Sequence, residues 1–135
     1  MHWNIYLSGE IHSDWRDKIE AGVKERNLPV DLHSPVTDHA ASDDCGDKIL
    51  GKEQLPFWKD HKASKINSIR TRNLIEQADI VVVRFGEKYR QWNAAFDAGY
   101  AAALGKSIIT LHDPDLTHAL KEVDAAAAAV AQTPE

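Results

Sequence analysis

The sequence contains 135 residues, of which 43% are hydrophobic and 27% are charged, and its formal net charge is -5. This size suits one hydrophobic core, so we expect residues 1–135 to fold as a single domain. A negative net charge disfavours binding to a nucleic-acid polymer, which needs a basic face. The apolar runs are too short to cross a membrane, so we expect no membrane partner.

Three further features of the sequence restrict the class of protein. Residues 1–9 lack the basic region and the long apolar stretch of a signal peptide, so we expect a cytoplasmic protein. Cys45 is the only cysteine, which excludes an internal disulfide. The seven histidines are scattered without the spacing of a metal-binding motif, so we predict neither a metal site nor a bound cofactor.

The first half of the chain alternates strand-like and helix-like patterns. We predict a buried strand from Asn4 to Gly9, an amphipathic helix from Asp14 to Arg26 with Ser13 as its N-cap, and a short strand from Val30 to His33. The segment from Val36 to Lys59 is rich in aspartate and contains two glycines and a proline. We therefore predict that it is a long irregular loop.

The second half continues this alternation. We predict a helix from Asp60 to Gln77, a strand from Asp79 to Gly86, a helix from Asn93 to Leu104 with Asn93 as its N-cap, and a strand from Ser107 to Leu111. The four consecutive β-branched residues 80–83 are typical of a central parallel strand that is covered on both faces.

The C-terminal region is rich in alanine. We predict a helix from Leu116 to Ala125 and an edge strand from Ala128 to Ala131. The last three residues, 133–135, match the first positions of a helix, so we expect a final helix that is truncated there. Together the elements predict an α/β fold, a three-layer sandwich with a five-stranded parallel sheet in the flavodoxin-like order 2-1-3-4-5.

In such a sheet, ligands bind beyond the carboxyl ends of the strands, at the switch point between the first and third strands. Residues that follow these two strands, together with the start of the 93–104 helix, are predicted to lie there. They are Ser8, Gly9, Glu10, His12, residues 84–87 and Asn93. The charge is locally positive from Lys59 to Arg90, which favours either a small anionic ligand at this point or a solvated basic helix face.

Asp97 is the only ionisable carboxylate in the mostly apolar stretch 91–105. A carboxylate on a packing face is costly to desolvate unless it is paired or opens into a polar cleft. We therefore interpret Asp97 as a nucleophile or base near the positive end of its helix, where the macrodipole favours the ionised form. The alternative is a carboxylate that only caps the helix or pairs with an arginine. Gly99 and the alanines favour the first interpretation, because they would let the helix approach the sheet closely.

Several segments carry a resemblance to a known family. The stretch from Phe96 to Ile109 resembles a motif of the nucleoside 2-deoxyribosyltransferase superfamily, in which a nucleophilic glutamate precedes a glycine, an aromatic residue and an alanine. Residues 5–9 and 79–83 are similar to its first and third strands. Over nearly the whole chain the sequence resembles the YtoQ family, most closely in residues 6–16, 63–67, 70–71 and 85–93.

The resemblance implies cleavage of the N-glycosidic bond of a nucleoside or a nucleoside 5'-monophosphate, by hydrolysis or by transfer. Asp97 would be the catalytic nucleophile, Glu10 would protonate the leaving base, and Tyr6 would orient Asp97. The family's glutamate is matched here by the shorter Asp97. The aspartate that holds the sugar in transferases falls near Thr71, between two arginines, which favours an anionic ligand such as a 5'-phosphate.

A phosphate group would be bound near the end of the first strand. Ser8 and Gly9 would offer it a hydroxyl group and a close backbone approach, and Arg16, Lys65 or Arg70 would supply positive charge.

Four further residues have two interpretations each. Trp92 and Trp15 would stack on the base or else simply be packed. Asn93 would contact substrate or only cap its helix, and His12 would act as an acid or base or have a structural role.

Two other functions remain open. One is a sensor that binds a nucleotide-derived ligand without catalysis, having lost the family's glutamate. The other is an unrelated small-molecule hydrolase that uses His12 and Glu10. Because family members commonly assemble so that one subunit completes the next one's pocket, we also expect a homo-oligomer.

Overall fold

A computed structural model describes residues 1–89 and 91–135. Its strands are β1 (Trp3–Gly9), β2 (Val30–His33), β3 (Ile80–Phe85), β4 (Ser107–His112) and β5 (Ala129–Ala131). Its helices are α1 (Trp15–Glu25), α2 (His39–Leu50), α3 (Pro56–Gln77), α4 (Trp92–Ala103) and α5 (Lys121–Ala126), with a 3-10 turn at Pro114–Leu116. Within the described ranges, none of these helices combines the length and the apolar character that a membrane span requires.

The five strands form one parallel sheet in the order β2-β1-β3-β4-β5, which confirms the predicted α/β topology. Tyr6 of β1 is in register with Val81 of β3, and Phe85 of β3 is in register with His112 of β4. The carboxyl ends of β1 and β3 therefore meet at one edge of the sheet, where the strand order reverses.

Both faces of the central strand are covered, as the run of β-branched residues predicts. Val81, Val83 and Phe85 pack into one core cluster with residues of α3 and α4. Val82 belongs to the cluster on the other face, with Trp15 at the start of α1. This alternation follows from the two-residue side-chain period of a strand.

Helix α4 packs against the sheet through small side chains. Ala94, Ala98 and Ala101 are buried and lie on one face at helical spacing. The proposed contribution of Gly99 was wrong, because it is exposed and a Cβ atom placed there would meet nothing within 4 Å. The alanines alone bring the backbone of α4, and with it Asp97, towards β1 and β3.

The predicted loop from Val36 to Lys59 was wrong over most of its length, because α2 occupies His39–Leu50 and α3 already begins at Pro56. Asp38 caps this helix by accepting a 2.6 Å hydrogen bond from the backbone of Ala41. A Cβ atom on Gly46 would lie 2.6 Å from a backbone nitrogen of α3, so the two helices are in close contact there. Tertiary packing therefore stabilises a helix that its polar composition did not indicate.

Three helix starts also differ from the prediction. Ser13 is not the N-cap of α1, since Asp14 occupies that position and the Ser13 hydroxyl donates to the Glu10 carboxylate instead. Asn93 is not the N-cap of α4, because Gln91 is, so Asn93 lies inside the first turn. Helix α3 begins at Pro56, which suits the first turn because proline has no N–H to leave unpaired.

The helix predicted from Leu116 to Ala125 is shorter and starts later. Leu116 ends the 3-10 turn, and α5 covers only Lys121–Ala126. Asp124 of α5 accepts hydrogen bonds from Thr110 and bonds to the buried ring of His112, at 2.8 Å and about 3 Å. These contacts attach α5 to the end of β4.

Candidate functional site

A cavity of about 300 Å³ opens at the carboxyl end of β1. The segment after β1, helix α3 and the first turns of α4 each contribute part of its wall. Its lining includes Tyr6, Gly9, Glu10, Ile11, His12, Pro35, Val36, Ser42, Asn67, Arg70, Thr71, Tyr89, Asn93 and Asp97. It is called the smaller cavity from here on.

A larger cavity of about 720 Å³ lies between α2, α3 and α4. Its lining includes Asp43, Asp60, Arg72, Phe96 and Tyr100. Five residues line both cavities, namely Ser42, Asn67, Thr71, Asn93 and Asp97. The carboxyl group of Asp97 is therefore at a wall that the two cavities share.

Asp97 is fixed by a hydrogen bond from the first strand. The hydroxyl group of Ser8, which is fully buried, donates to Oδ2 of Asp97 at 2.6 Å. Burial raises the pKa of Asp97, and the hydrogen bond from Ser8 opposes that rise only in part. The net direction is opposite to our expectation that the ionised form would be favoured. Asp97 is the sixth residue of α4 and so lies beyond the first turn, where the macrodipole acts most strongly. The side chain is a positioned carboxyl group with increased basicity.

Tyr6 lies beside this pair and is almost completely buried. Burial raises the pKa of Tyr6 to about 12, the negative charge of Asp97 adds to the rise, and hydrogen bonds with Thr71 and Ser8 oppose it. Tyr6 is consequently a protonated phenol at neutral pH. The structure brings Tyr6, Ser8, Thr71 and Asp97 together into one polar group at the end of β1.

Glu10 is buried, and both of its carboxylate oxygens accept hydrogen bonds from its own loop. Oε1 accepts from the backbone of His12, and Oε2 accepts from the Ser13 hydroxyl at 2.6 Å. These contacts shape the turn after β1. The predicted role of Glu10 as the acid that protonates the leaving group stays a prediction, as does the role of the His12 ring.

Arg16 and Trp15 support the end of β1. The Arg16 guanidinium donates to the carbonyl oxygens of Leu7, Gly9 and Glu10, and burial lowers its pKa to about 10. It also lies 4.3 Å from the centre of the Trp15 ring, which is buried in the core. Neither side chain is among the described residues that line the smaller cavity.

The remaining predicted residues are distributed unevenly. Arg70 and Asn93 line the smaller cavity, whereas the exposed Lys65 and Trp92 are absent from the described linings of both cavities. Gly9 has φ 106°, and a Cβ atom there would lie 2.2 Å from the carbonyl oxygen of Arg84, so only glycine fits this backbone.

The basic segment is partly neutralised. Lys59 pairs with Asp44 at 3.0 Å, and Lys62 pairs with Glu53 at 2.5 Å. Arg90, which we counted in this segment, lies outside the described residues. Across the described part of the chain, no group of three or more His, Cys, Asp or Glu side chains could hold a metal ion.

Sequence reasoning missed several residues of the lining, among them Ser42, Asn67 and Tyr89. Ser42 lies on α2, the helix that was not predicted. Asn67 and Tyr89 both fall within segments that carry the family resemblance, and that was the signal that could have identified them.

Comparison with known proteins identifies the family to which this sequence belongs. The sequence profile of the family described as "Nucleoside 2-deoxyribosyltransferase YtoQ" matches residues 6–135. An uncharacterized protein of Bacillus subtilis (strain 168), YtoQ, is 46% identical over 123 residues, which span 91% of this chain and 83% of that protein.

Two solved structures share the fold. A 2-deoxyribosyltransferase from Bacillus psychrosaccharolyticus aligns with a TM-score of 0.56 and 18% identity, over 97% of this chain and 87% of its own. A conserved protein from Enterococcus faecalis V583 aligns with a TM-score of 0.68 and 13% identity, over 99% of this chain and 93% of its own.

Replacing Asp97 by asparagine is expected to stabilise the protein at neutral pH. Because the pKa of Asp97 is raised in the folded state, the folded protein keeps this proton at pH values where the unfolded chain has released it. The free energy of unfolding of the native protein therefore falls as the pH rises from the ordinary aspartate pKa through the raised one. Asp97→Asn has no carboxyl group to titrate, so its free energy of unfolding does not fall for this reason. Its amide oxygen can still accept the hydrogen bond from Ser8.

Urea unfolding of both proteins at a series of pH values from about 4 to about 8 measures the difference. The exposed Asp17 on α1 provides a matched control, Asp17→Asn. Parallel pH profiles for native protein and Asp97→Asn would contradict the expected burial of the carboxyl group.

Proposed function

Because this chain belongs to the YtoQ family of nucleoside 2-deoxyribosyltransferases, we propose that it cleaves the N-glycosidic bond of a nucleoside or a nucleoside 5'-monophosphate. The cleavage is a hydrolysis or a transfer to a second base, with Asp97 as the nucleophile. The observation that carries this proposal is the Asp97 carboxyl group, held by Ser8 at the wall shared by two cavities.

The reaction has two steps. In the first, a carboxylate oxygen of Asp97 forms a bond to the anomeric carbon, while the bond from that carbon to the base breaks and its electron pair stays on the base nitrogen, which gains a proton. In the second, water or another base gives up a proton and forms a bond to the anomeric carbon, while the bond from that carbon to Asp97 breaks and the carboxylate is released. The attacking form is the ionised one, so activity requires a pH above the raised pKa of Asp97.

Ser8 positions this carboxylate, and the orienting role of Tyr6 beside it stays a prediction. The Ser8 hydroxyl donates a hydrogen bond to Oδ2 of Asp97, which fixes the rotamer of this side chain. Asp97 is one methylene shorter than the family's glutamate. Tyr6 keeps its proton because its pKa is raised to about 12, so it acts as a hydrogen-bond donor and not as a base.

A phosphate on the substrate would bind at the α3 side of the smaller cavity. Arg70 lines that wall beside Thr71, which stands where transferases carry the aspartate that holds the sugar. Arg16 is already bonded to three backbone carbonyl oxygens, and Lys65 is absent from the described lining. Of the three cations considered from the sequence, Arg70 therefore supports 5'-phosphate binding best.

A sensor that binds such a ligand without cleaving it is the second candidate. The raised pKa of Asp97 favours its neutral form, and a neutral carboxylic acid is a poor nucleophile. Binding of a nucleotide without release of base would favour this candidate.

We also propose that a second copy of the chain covers the larger cavity. Phe96 lines that cavity and is 76% exposed, so a second copy would remove its apolar ring from water. The neighbouring Tyr100, which lines the same cavity, donates to Glu76 at 2.8 Å.

The native protein is expected to release free base from at least one ribo- or deoxyribonucleoside or 5'-monophosphate, and Asp97→Ala is expected to lose this release by at least about 10³-fold. Chromatography of the released base measures both. Asp17→Asn serves as the control for handling and folding. Release that persists in Asp97→Ala would exclude Asp97 as the nucleophile.

Arg70→Gln is expected to lower kcat/KM for a 5'-monophosphate by about 10- to 100-fold. It is expected to change kcat/KM for the matching nucleoside by less than about twofold. The reason is that one charge-assisted hydrogen bond to the phosphate is lost. Lys65→Gln is the matched control on the same helix. Equal losses for nucleotide and nucleoside, or a larger loss for Lys65→Gln, would place the phosphate elsewhere.

Sedimentation equilibrium is expected to give a mass above that of one 15.1 kDa chain. Phe96→Glu should shift the protein towards the monomer, because it places a charge in the apolar contact. Trp3→Glu, at the opposite end of the sheet, is the control. A monomeric native protein at high concentration would refute this arrangement.

A further inference from the structure

Part of the wall of the smaller cavity comes from loops and is largely apolar or aromatic. Ile11, His12, Pro35, Val36 and Tyr89 form it. The α3 side, by contrast, presents the polar side chains of residues 67, 70 and 71. A ligand that fits both sides has a planar, weakly polar part and a polar or anionic part.

We propose that Tyr89, together with His12, forms the stacking site for the base of the substrate. This inference rests on the proposed function and adds to it the orientation of the ligand. The base lies against the loop side, the sugar lies beside Asp97, and a 5'-phosphate lies towards Arg70.

Tyr89 and His12 carry the rings of the described lining on which a base could stack. Among the described lining residues, the aromatic side chains are Tyr6, His12 and Tyr89. The Tyr6 side chain is almost fully buried, whereas Tyr89 is 75% exposed. The two tryptophans considered from the sequence, Trp15 and Trp92, are not in this lining.

The rings of Tyr89 and His12 are already close together. Their centroids are 5.2 Å apart at an interplanar angle of 50°, and the ring of His39 lies 6.3 Å from that of His12. A planar base placed against this group would remove aromatic surface from water and gain ring contacts.

The backbone of Tyr89 is strained. Its φ is 62°, in the left-handed region, and the other described non-glycine residue with positive φ is Asn27, a type that adopts this conformation readily. A bulky tyrosine does not, and such strain is retained mainly at functional positions. In this conformation Tyr89 lies at the wall of the smaller cavity.

The test measures binding separately from turnover. In the Asp97→Asn background, isothermal titration calorimetry is carried out with the ribo- and deoxyribonucleoside 5'-monophosphates and with ribose 5-phosphate, which has no base. Tyr89→Ala removes the ring, whereas Tyr89→Phe keeps it. Tyr89→Asn also removes the ring but suits a positive φ, so it separates stacking from loop distortion, and Trp3→Ala is the control for loss of a surface aromatic residue.

Tyr89→Ala and Tyr89→Asn are expected to weaken binding of the preferred nucleotide by about 10- to 100-fold. Tyr89→Phe and Trp3→Ala should stay within about twofold, and binding of ribose 5-phosphate should not change. The proposal is overturned if the ring-deleting variants bind nucleotide as the parent does, if they weaken ribose 5-phosphate equally, or if no nucleotide binds with Tyr89 intact. Nucleotide binding that depends on Tyr89, combined with base release that survives Asp97→Ala, would refute the nucleophile and leave the stacking site standing.

Discussion

The hydrogen bond between Ser8 and Asp97 joins the central part of the sheet to helix α4. It exists because Ser8 comes at the end of β1, next to β3, and because the alanine face of α4 lets the helix backbone approach that point. The same bond limits how far burial raises the pKa of Asp97. The protonation of Asp97 therefore depends on a balance between desolvation and one donated hydrogen bond.

The sheet could be predicted from the sequence because its signals are local. The β-branched run at 80–83 and the glycine after the first strand both lie within a few residues of the structures that they indicate. Helix α2 could not be predicted in the same way. Its stability comes from contact with α3 at Gly46, and its aspartates and serine resemble a loop when they are read alone.

The site shows the same division between local and distant information. Asp97 could be singled out because a lone carboxylate contrasts with its apolar neighbours. The partner of Ser8 could not, since it lies 89 residues away along the chain and is defined only by the fold. Arg16 is a similar case, because a cation suited to a phosphate turned out to be bonded to backbone carbonyls of its own protein. Composition and spacing identify chemical groups, and tertiary structure decides which of them are already engaged.

The absence of a side chain at Gly9 limits where ligand preference can change in this fold. Any side chain there would collide with the backbone of β3, and a Cβ atom at Gly86 would collide with the Glu10 side chain at 2.5 Å. Neither position therefore has room for a larger side chain next to the end of β1. Ligand preference can therefore change through side chains elsewhere in the cavity wall, such as those of Pro35 and Val36, while the carboxyl group and its support stay in place.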